Sequence, residues 1–155
     1  MDWRPARDSD DPHIVGLCAA LYREDPGEGT PSEATVRATL VRFRSEPWRG
    51  TAAVCEAAGE VRGYALLVSS WSNECGGEVC IVDELYVVPD HRDRGAGSHL
   101  LRMLATTPNP IWQRPAVALA LEITPGNARA RALYERLGFR ATNLGFRCPV
   151  LSLPG

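Results

Sequence analysis

The sequence has no lysine: all 17 of its basic residues are arginine. A Walker-type phosphate loop needs a lysine for the β- and γ-phosphates, so P-loop ATP or GTP chemistry is excluded. Schiff-base aldolases and pyridoxal phosphate enzymes need one too and go with it. Cysteine is sparse. Cys18, Cys55, Cys75, Cys80 and Cys148 make an odd count, and no two are spaced C-x-x-C. Zinc ribbons and dithiol redox motifs are therefore not expected. Cys75 and Cys80 are close in sequence, but no histidine stands near enough to complete a tetrahedral site, so no metal is expected. Excess charge is also lacking. Against 19 acidic groups the net charge is only -2, which gives no basic footprint for nucleic acid and no pull towards anionic lipid. No basic-then-apolar leader opens the sequence, and no apolar run approaches ~18 residues, so a soluble, cytoplasmic protein with reduced thiols is expected.

What is present suits one core. The 155 residues amount to about one domain, and 45% of them are hydrophobic. Asp2–Arg7 reads as an edge strand, where Pro5 is tolerated. Asp11 followed by Pro12 reads as a helix start, and Ile14, Leu17, Cys18 and Leu21 then mark one helical face. Thr30-Pro31-Ser32-Glu33 has the form of a capping box ahead of a second helix, with Val36, Leu40 and Phe43 inward and an end near Pro47. Thr51–Ala57 and Val61–Trp71 form a hairpin across Ala58-Gly59-Glu60. After a polar loop at Ser72–Glu78, Val79–Val88 is an apolar strand ending at Pro89. Gly97, Leu101 and Leu104 begin a third helical stripe. Ala116–Thr124 reads as a buried strand, and Asn127–Leu137 as a fourth helix with Gly138 at C′. Ala141–Leu153 closes the chain as strand. The order predicts an α/β fold: one mixed sheet with helices on both faces, over residues 1–155 as a single domain.

Two stretches carry chemistry. Arg92-Asp93-Arg94-Gly95-Ala96-Gly97-Ser98 lies between a strand end and a helix start. Its glycines permit a sharp turn and close approach, and the first N–H groups of the helix suit an anion, above all a pyrophosphate. Arg92 and Arg94 are placed to pair with phosphate oxygens. In the second stretch Asn127, Ala130 or Arg131, and Tyr134 share one helical face. Taken singly, a tight turn, a capping asparagine and a core tyrosine would account for these residues. Together the two stretches resemble the GNAT superfamily of acyl-CoA-dependent N-acyltransferases. Arg92-x-x-Gly95-x-Gly97 matches the family's pyrophosphate loop. Asn127-x-x-Ala130-x-x-x-Tyr134-x-x-x-Gly138-Phe139, about 30 residues on, matches its second signature. The resemblance covers nearly the whole sequence. Asp93 departs from it, standing where glycine is usual and setting a negative charge beside the phosphates. Gly126 also intervenes between Pro125 and Asn127.

The resemblance implies acetyl-CoA as co-substrate, held by Leu85, Val87, Arg92, Asp93, Arg94, Gly95, Ala96, Gly97, Ser98, Asn127, Ala130 and Tyr134. It implies direct acetyl transfer to an amine in a ternary complex, with Tyr134 protonating the departing thiolate. Cys55 and Cys80 are not needed as nucleophiles. An amine acceptor must lose a proton before it attacks, and a carboxylate is a suitable base. Asp83 and Glu84 are adjacent, and strand alternation sets them on opposite faces. Apolar pattern does not choose between them, and the resemblance favours Asp83. The resemblance places the acceptor between the opening helices and the far strands, at Tyr22–Thr30, Trp71–Glu78 and the tail near Asn143–Cys148, where Glu24, Asp25, Glu28, Glu74 and Glu78 would make an acidic groove and Trp71 could stack. A small cationic amine is favoured. A peptide amine is the alternative acceptor, and a non-catalytic acyl-CoA sensor of the same fold is the alternative function. A homodimer is compatible with the sequence.

Overall fold

A computed structural model describes residues 1–27, 29–106 and 108–142. Five strands form one mixed sheet in the order β1-β2-β3-β4-β5. They are β1 (Asp2–Pro5), β2 (Gly50–Ala57), β3 (Glu60–Ser72), β4 (Gly77–Val87) and β5 (Ala118–Leu121). The helices are α1 (Asp11–Glu24), α2 (Glu33–Ser45), α3 (Ala96–Leu104) and α4 (Ala128–Arg136). The first four strands are antiparallel, and β5 joins β4 in parallel through the α3 crossover. Among the described residues no helix is long and apolar enough to cross a membrane.

The sheet separates two cores. On one face α3 contributes Leu100, Leu101 and Leu104, which pack with Trp112, Ala65, Leu67, Cys80 and Val82. Leu133, Tyr134 and Leu137 of the α4 region pack against the same cluster. On the other face Ile14 and Cys18 of α1 and Val36 and Leu40 of α2 pack on Val54, Tyr64, Leu66 and Tyr86. Period-2 alternation in β2 and β3 feeds both cores. The β2–β3 hairpin turns through Ala58 (φ 52°) and Gly59 (φ 79°), both left-handed as a type I′ turn requires.

Several boundaries differ from the sequence expectation, each for a local reason. α1 begins at Asp11 with Asp10 as N-cap, one residue earlier than expected, and neither carboxylate caps it. Asp10 instead accepts from Arg4 at 2.7 and 3.0 Å and from the Arg7 N–H at 2.7 Å. Asp11 accepts both arms of Arg44, at 2.9 and 2.7 Å. Charge-assisted forks outcompete a helix N–H for these oxygens. The α2 cap is Ser32, not Thr30: its hydroxyl accepts from the Thr35 N–H at 3.1 Å, and Pro31 stays outside the helix. The strand expected over Ala116–Thr124 shrinks to Ala118–Leu121 and is half-buried, because β4 pairs with it only as far as Val82. Of the strand expected over 141–153, the part from residue 143 on lies outside the described residues.

The Arg4 guanidinium holds the Asp10 carboxyl below its ordinary value near 3.8. A depressed folded value means stabilisation that is present above the unfolded value and lost as pH falls through the folded one. Asp10→Asn should therefore destabilise by about 3 kcal/mol at pH 7, the scale for stranding one partner of a buried pair. The gap from the parent should close as pH drops below about 4. Urea unfolding at both pH values checks this; a gap independent of pH would remove the ion pair from the account.

Candidate active site

The site begins with a mismatch of length between two strands. Along β3 and β4, Leu67 pairs with Val82 but Leu66 pairs with Glu84. Asp83 is the extra residue, a β-bulge. The ladder between β4 and β5 ends at the same point, with Val82 opposite Leu121, while β4 runs on to Val87. Beyond the bulge, therefore, β4 and β5 part, and a wedge opens between them.

The bulge also changes which side chains share a face. Cys80 and Val82 pack in the α3 core, and so do Leu85 and Val87. The two residues between Val82 and Leu85 are both left to the α1 face. Asp83 and Glu84 therefore share one face rather than opposing each other, which corrects the expectation from strict alternation. Tyr22 of α1 reports both: its hydroxyl donates to Glu84 at 2.9 Å, and the charges of Glu84 and Asp83 add to burial in pushing its phenol pKa up. Tyr64 donates to the other Glu84 oxygen at 2.6 Å. Glu84 is thus held by two phenols, while Asp83 is exposed. Burial pushes the Cys18 thiol up to about 11, the Cys55 thiol to about 11 and the Cys80 thiol to about 12, so none is a ready nucleophile.

At the far end of β4 the chain turns through Asp93 (φ 58°) and Gly95 (φ 84°) into α3. Gly95 is the N-cap, and no side chain caps the helix. The first α3 bond runs from His99 N–H to the Gly95 carbonyl at 2.8 Å, so the N–H groups of Ala96, Gly97 and Ser98 have no partner within the helix. The Trp3 indole donates to the Ala96 carbonyl at 2.9 Å and ties β1 to this turn. Arg94, Gly95, Ala96, His99 and Met1 line an open depression of about 330 Å³. Gly97 has a packing reason as well: a Cβ there would lie 3.1 Å from Leu133 Cδ2 and 3.8 Å from Leu85 Cδ2.

The two loop arginines part company. Arg94 is exposed. Arg92, expected beside the phosphates, makes its contacts within the protein. Its Nε donates to the Val87 carbonyl at 2.6 Å, an outer nitrogen meets Glu24 at 2.5 Å, and its guanidinium lies 5.1 Å from the Tyr86 ring centroid. The Val87 carbonyl is thereby taken as well. Arg129 stands 3.4 Å from Asp93 and offsets the charge beside the loop.

On the other lip, Asn127 Oδ1 accepts from the Ala130 N–H at 3.0 Å and caps α4. Its Nδ2 donates to Asp25 at 2.5 Å, and Thr124 donates to the other Asp25 oxygen at 2.5 Å. Tyr134, two turns along α4, packs on the α3 core with its ring 5.7 Å from that of Phe139. Burial alone pushes its phenol pKa up, so it is a neutral donor at pH 7.

The residues expected at the acceptor entrance are not brought together. Glu24 and Asp25 are spent on Arg92, Tyr86, Thr124 and Asn127. Trp71 and Glu74 sit at the β3–β4 hairpin tip, where Trp71 pairs with Glu78 and is 73% exposed. Six extended residues, roughly 20 Å, separate Glu78 from Glu84. Glu28 and residues 143–148 lie outside the described residues. Tyr22 and Tyr64, partners of Glu84, carry no signal in the sequence beyond being aromatic in apolar segments.

The family model described as Acetyltransferase (GNAT) family matches residues 14–139, and the chain belongs to that family. The uncharacterized N-acetyltransferase YhfO of Bacillus subtilis (strain 168) is 29% identical over 154 residues, 99% of each chain. An aminoglycoside N-acetyltransferase solved in complex with CoA superposes with a TM-score of 0.75 at 20% identity, over 96% of this chain and 93% of that one. A ribosomal-protein-alanine N-acetyltransferase from Brucella melitensis biovar Abortus 2308 gives 0.74 at 21% identity, over 96% and 99%. These two likenesses show the fold. The protein is an acetyltransferase of a family that uses acetyl-CoA.

The residues fit that co-substrate: an uncapped helix N-terminus, a left-handed glycine with open space beside it and one exposed arginine suit a pyrophosphate. The strain of a β-branched residue at φ 84° should distort the Gly95 turn. Gly95→Val is expected to weaken acetyl-CoA binding at least tenfold, and Gly95→Asn, which tolerates the left-handed region, by much less. Titration calorimetry decides; equal affinities would show that the turn does not shape the phosphate site.

Proposed function

We propose that the protein transfers the acetyl group of acetyl-CoA directly to a primary amine, a small cationic amine above all, in a ternary complex. What supports this is the pair of carboxylates, Asp83 and Glu84, on one face where β4 and β5 part. A binding-only sensor has no use for paired acids at that point. Two adjacent negative charges attract an ammonium group and then need it to lose a proton.

Acetyl-CoA supplies the thioester carbon on which the amine nitrogen forms its bond as the C–S bond breaks. The residues of the chain do the rest. The N–H groups of Ala96, Gly97 and Ser98, with Arg94, hold the pyrophosphate. Leu85 and Val87 line the opened edge of β4. Glu84, kept in place by Tyr22 and Tyr64, fixes the charge that receives the amine. Asp83, exposed on the bulge, takes the amine's proton. Tyr134 gives its hydroxyl proton to the departing sulfur and recovers one from solvent. Its raised pKa keeps it a donor across the neutral range.

Tyr134→Phe keeps the ring and removes the donor. It should lower kcat by about 10²–10⁴ while leaving the acetyl-CoA Kd nearly unchanged. A kcat equal to the parent's in single-turnover measurements would reject the role.

The base is tested on the best acceptor from a panel of amines, aminoglycosides and peptide N-termini. Asp83→Asn should lower kcat/KM about 10²-fold and flatten its rise with pH. Glu84→Gln should raise KM for the amine while the slope persists. Parent-like profiles in both variants would remove the carboxylates from proton transfer, and a preference for neutral or anionic acceptors would overturn the assigned substrate class.

A further inference from the structure

The last two residues of the α1 region reach opposite sides of the wedge. Glu24 closes α1, and Asp25 is its C-cap, its N–H bound to the Leu21 carbonyl at 2.8 Å. Glu24 turns to the β4 side. One oxygen accepts from the Tyr86 hydroxyl at 2.5 Å and the other from Arg92 at 2.5 Å, while Arg92 also grips the Val87 carbonyl where the phosphate loop starts. Asp25 turns to the β5 side. Its two oxygens take the Thr124 hydroxyl and the Asn127 amide, and Asn127 in turn caps the helix that carries Tyr134. Four carboxylate oxygens thus meet four donors, two on each lip. No strand pairing spans the wedge beyond Val82 and Leu121 among the described residues, so side-chain contacts bridge it there: these four, with the Arg129–Asp93 pair farther out.

We propose that Glu24 and Asp25 form a two-sided clamp that sets the opening between β4 and β5, Glu24 positioning the phosphate loop through Arg92 and Asp25 positioning Tyr134 through Asn127. Both are positioning residues, since neither touches a reacting atom. Adjacent carboxylates at one helix end are joined by a single peptide unit, so a shift of one lip is passed to the other. The two arms act on different steps: the Glu24 arm on coenzyme binding, the Asp25 arm on proton delivery to sulfur. The Asp25 arm rests on the reading of Tyr134 as the proton donor.

The test measures acetyl-CoA affinity and stoichiometry by calorimetry, and kcat with the best amine, for Glu24→Gln, Asp25→Ala and Asp25→Glu. Asp25→Ala is repeated in a Tyr134→Phe background. Glu24→Gln should weaken acetyl-CoA about tenfold, with the smaller change in kcat. Asp25→Ala should lower kcat about 10- to 100-fold, the scale of a small misplacement, and move affinity by less than about threefold at one site per chain. Asp25→Glu keeps both acceptor oxygens and should return most of kcat. With Tyr134 already replaced, Asp25→Ala should have no further effect on kcat. Additive losses in that background overturn the link to Tyr134, as does a substoichiometric Asp25→Ala enzyme that Asp25→Glu fails to rescue. Unchanged affinity in Glu24→Gln overturns the β4 arm. If Tyr134→Phe alone retains the parent kcat, the donor reading fails and the α4 arm with it, while the Glu24 arm is still decided by affinity.

Discussion

Strand β4 carries one residue more than β3 can pair, and that residue is Asp83. A regular strand would have kept Asp83 and Glu84 on opposite faces and continued its ladder with β5. With the extra residue the strand twists, the β5 ladder ends at Val82, and both carboxylates come to the α1 face. The wedge, the acids beside it and the return of Leu85 and Val87 to the α3 core all follow from that one insertion.

Holding acids in fixed positions at such a place requires donors, and the fold supplies them from tyrosine and arginine. Tyr22 and Tyr64 each donate to one oxygen of Glu84, and Tyr86 and Arg92 do the same for Glu24. Phenols suit this task because burial and a neighbouring carboxylate both favour their neutral, donating form. The same logic runs along β1 and α1, where Arg4 and Arg44 satisfy Asp10 and Asp11. A chain whose 17 basic residues are all arginine is well furnished for such contacts, since the planar guanidinium meets both oxygens of a carboxylate at once. Arg92 shows the consequence. The sequence offers it to a phosphate, and in the structure it joins β4 to α1 through the Val87 carbonyl and Glu24, while Arg94 is exposed.

The sequence by itself determined what depends on near neighbours. Helical stripes such as Ile14–Cys18 and Val36–Leu40, the alternation of β2 and β3, the Ala58-Gly59 turn and the Gly95 turn rest on contacts within a few residues, and they were legible. So was the pairing of the two signature stretches, because each is a run whose spacing carries the chemistry. What only the tertiary structure decided depends on residues far apart. The bulge exists because β4 is measured against β3, and no pattern inside β4 announces it: Ile81 to Val88 is apolar in both parities. Glu24 and Asp25 read as solvent-facing loop acids until Arg92 and Asn127 arrive from 68 and 102 residues away. Trp71 and Glu74 read as acceptor ligands until the hairpin carries them to the opposite end of β4. Periodicity reports which face a side chain takes along its own element, whereas the partner across the gap is set by how elements pack.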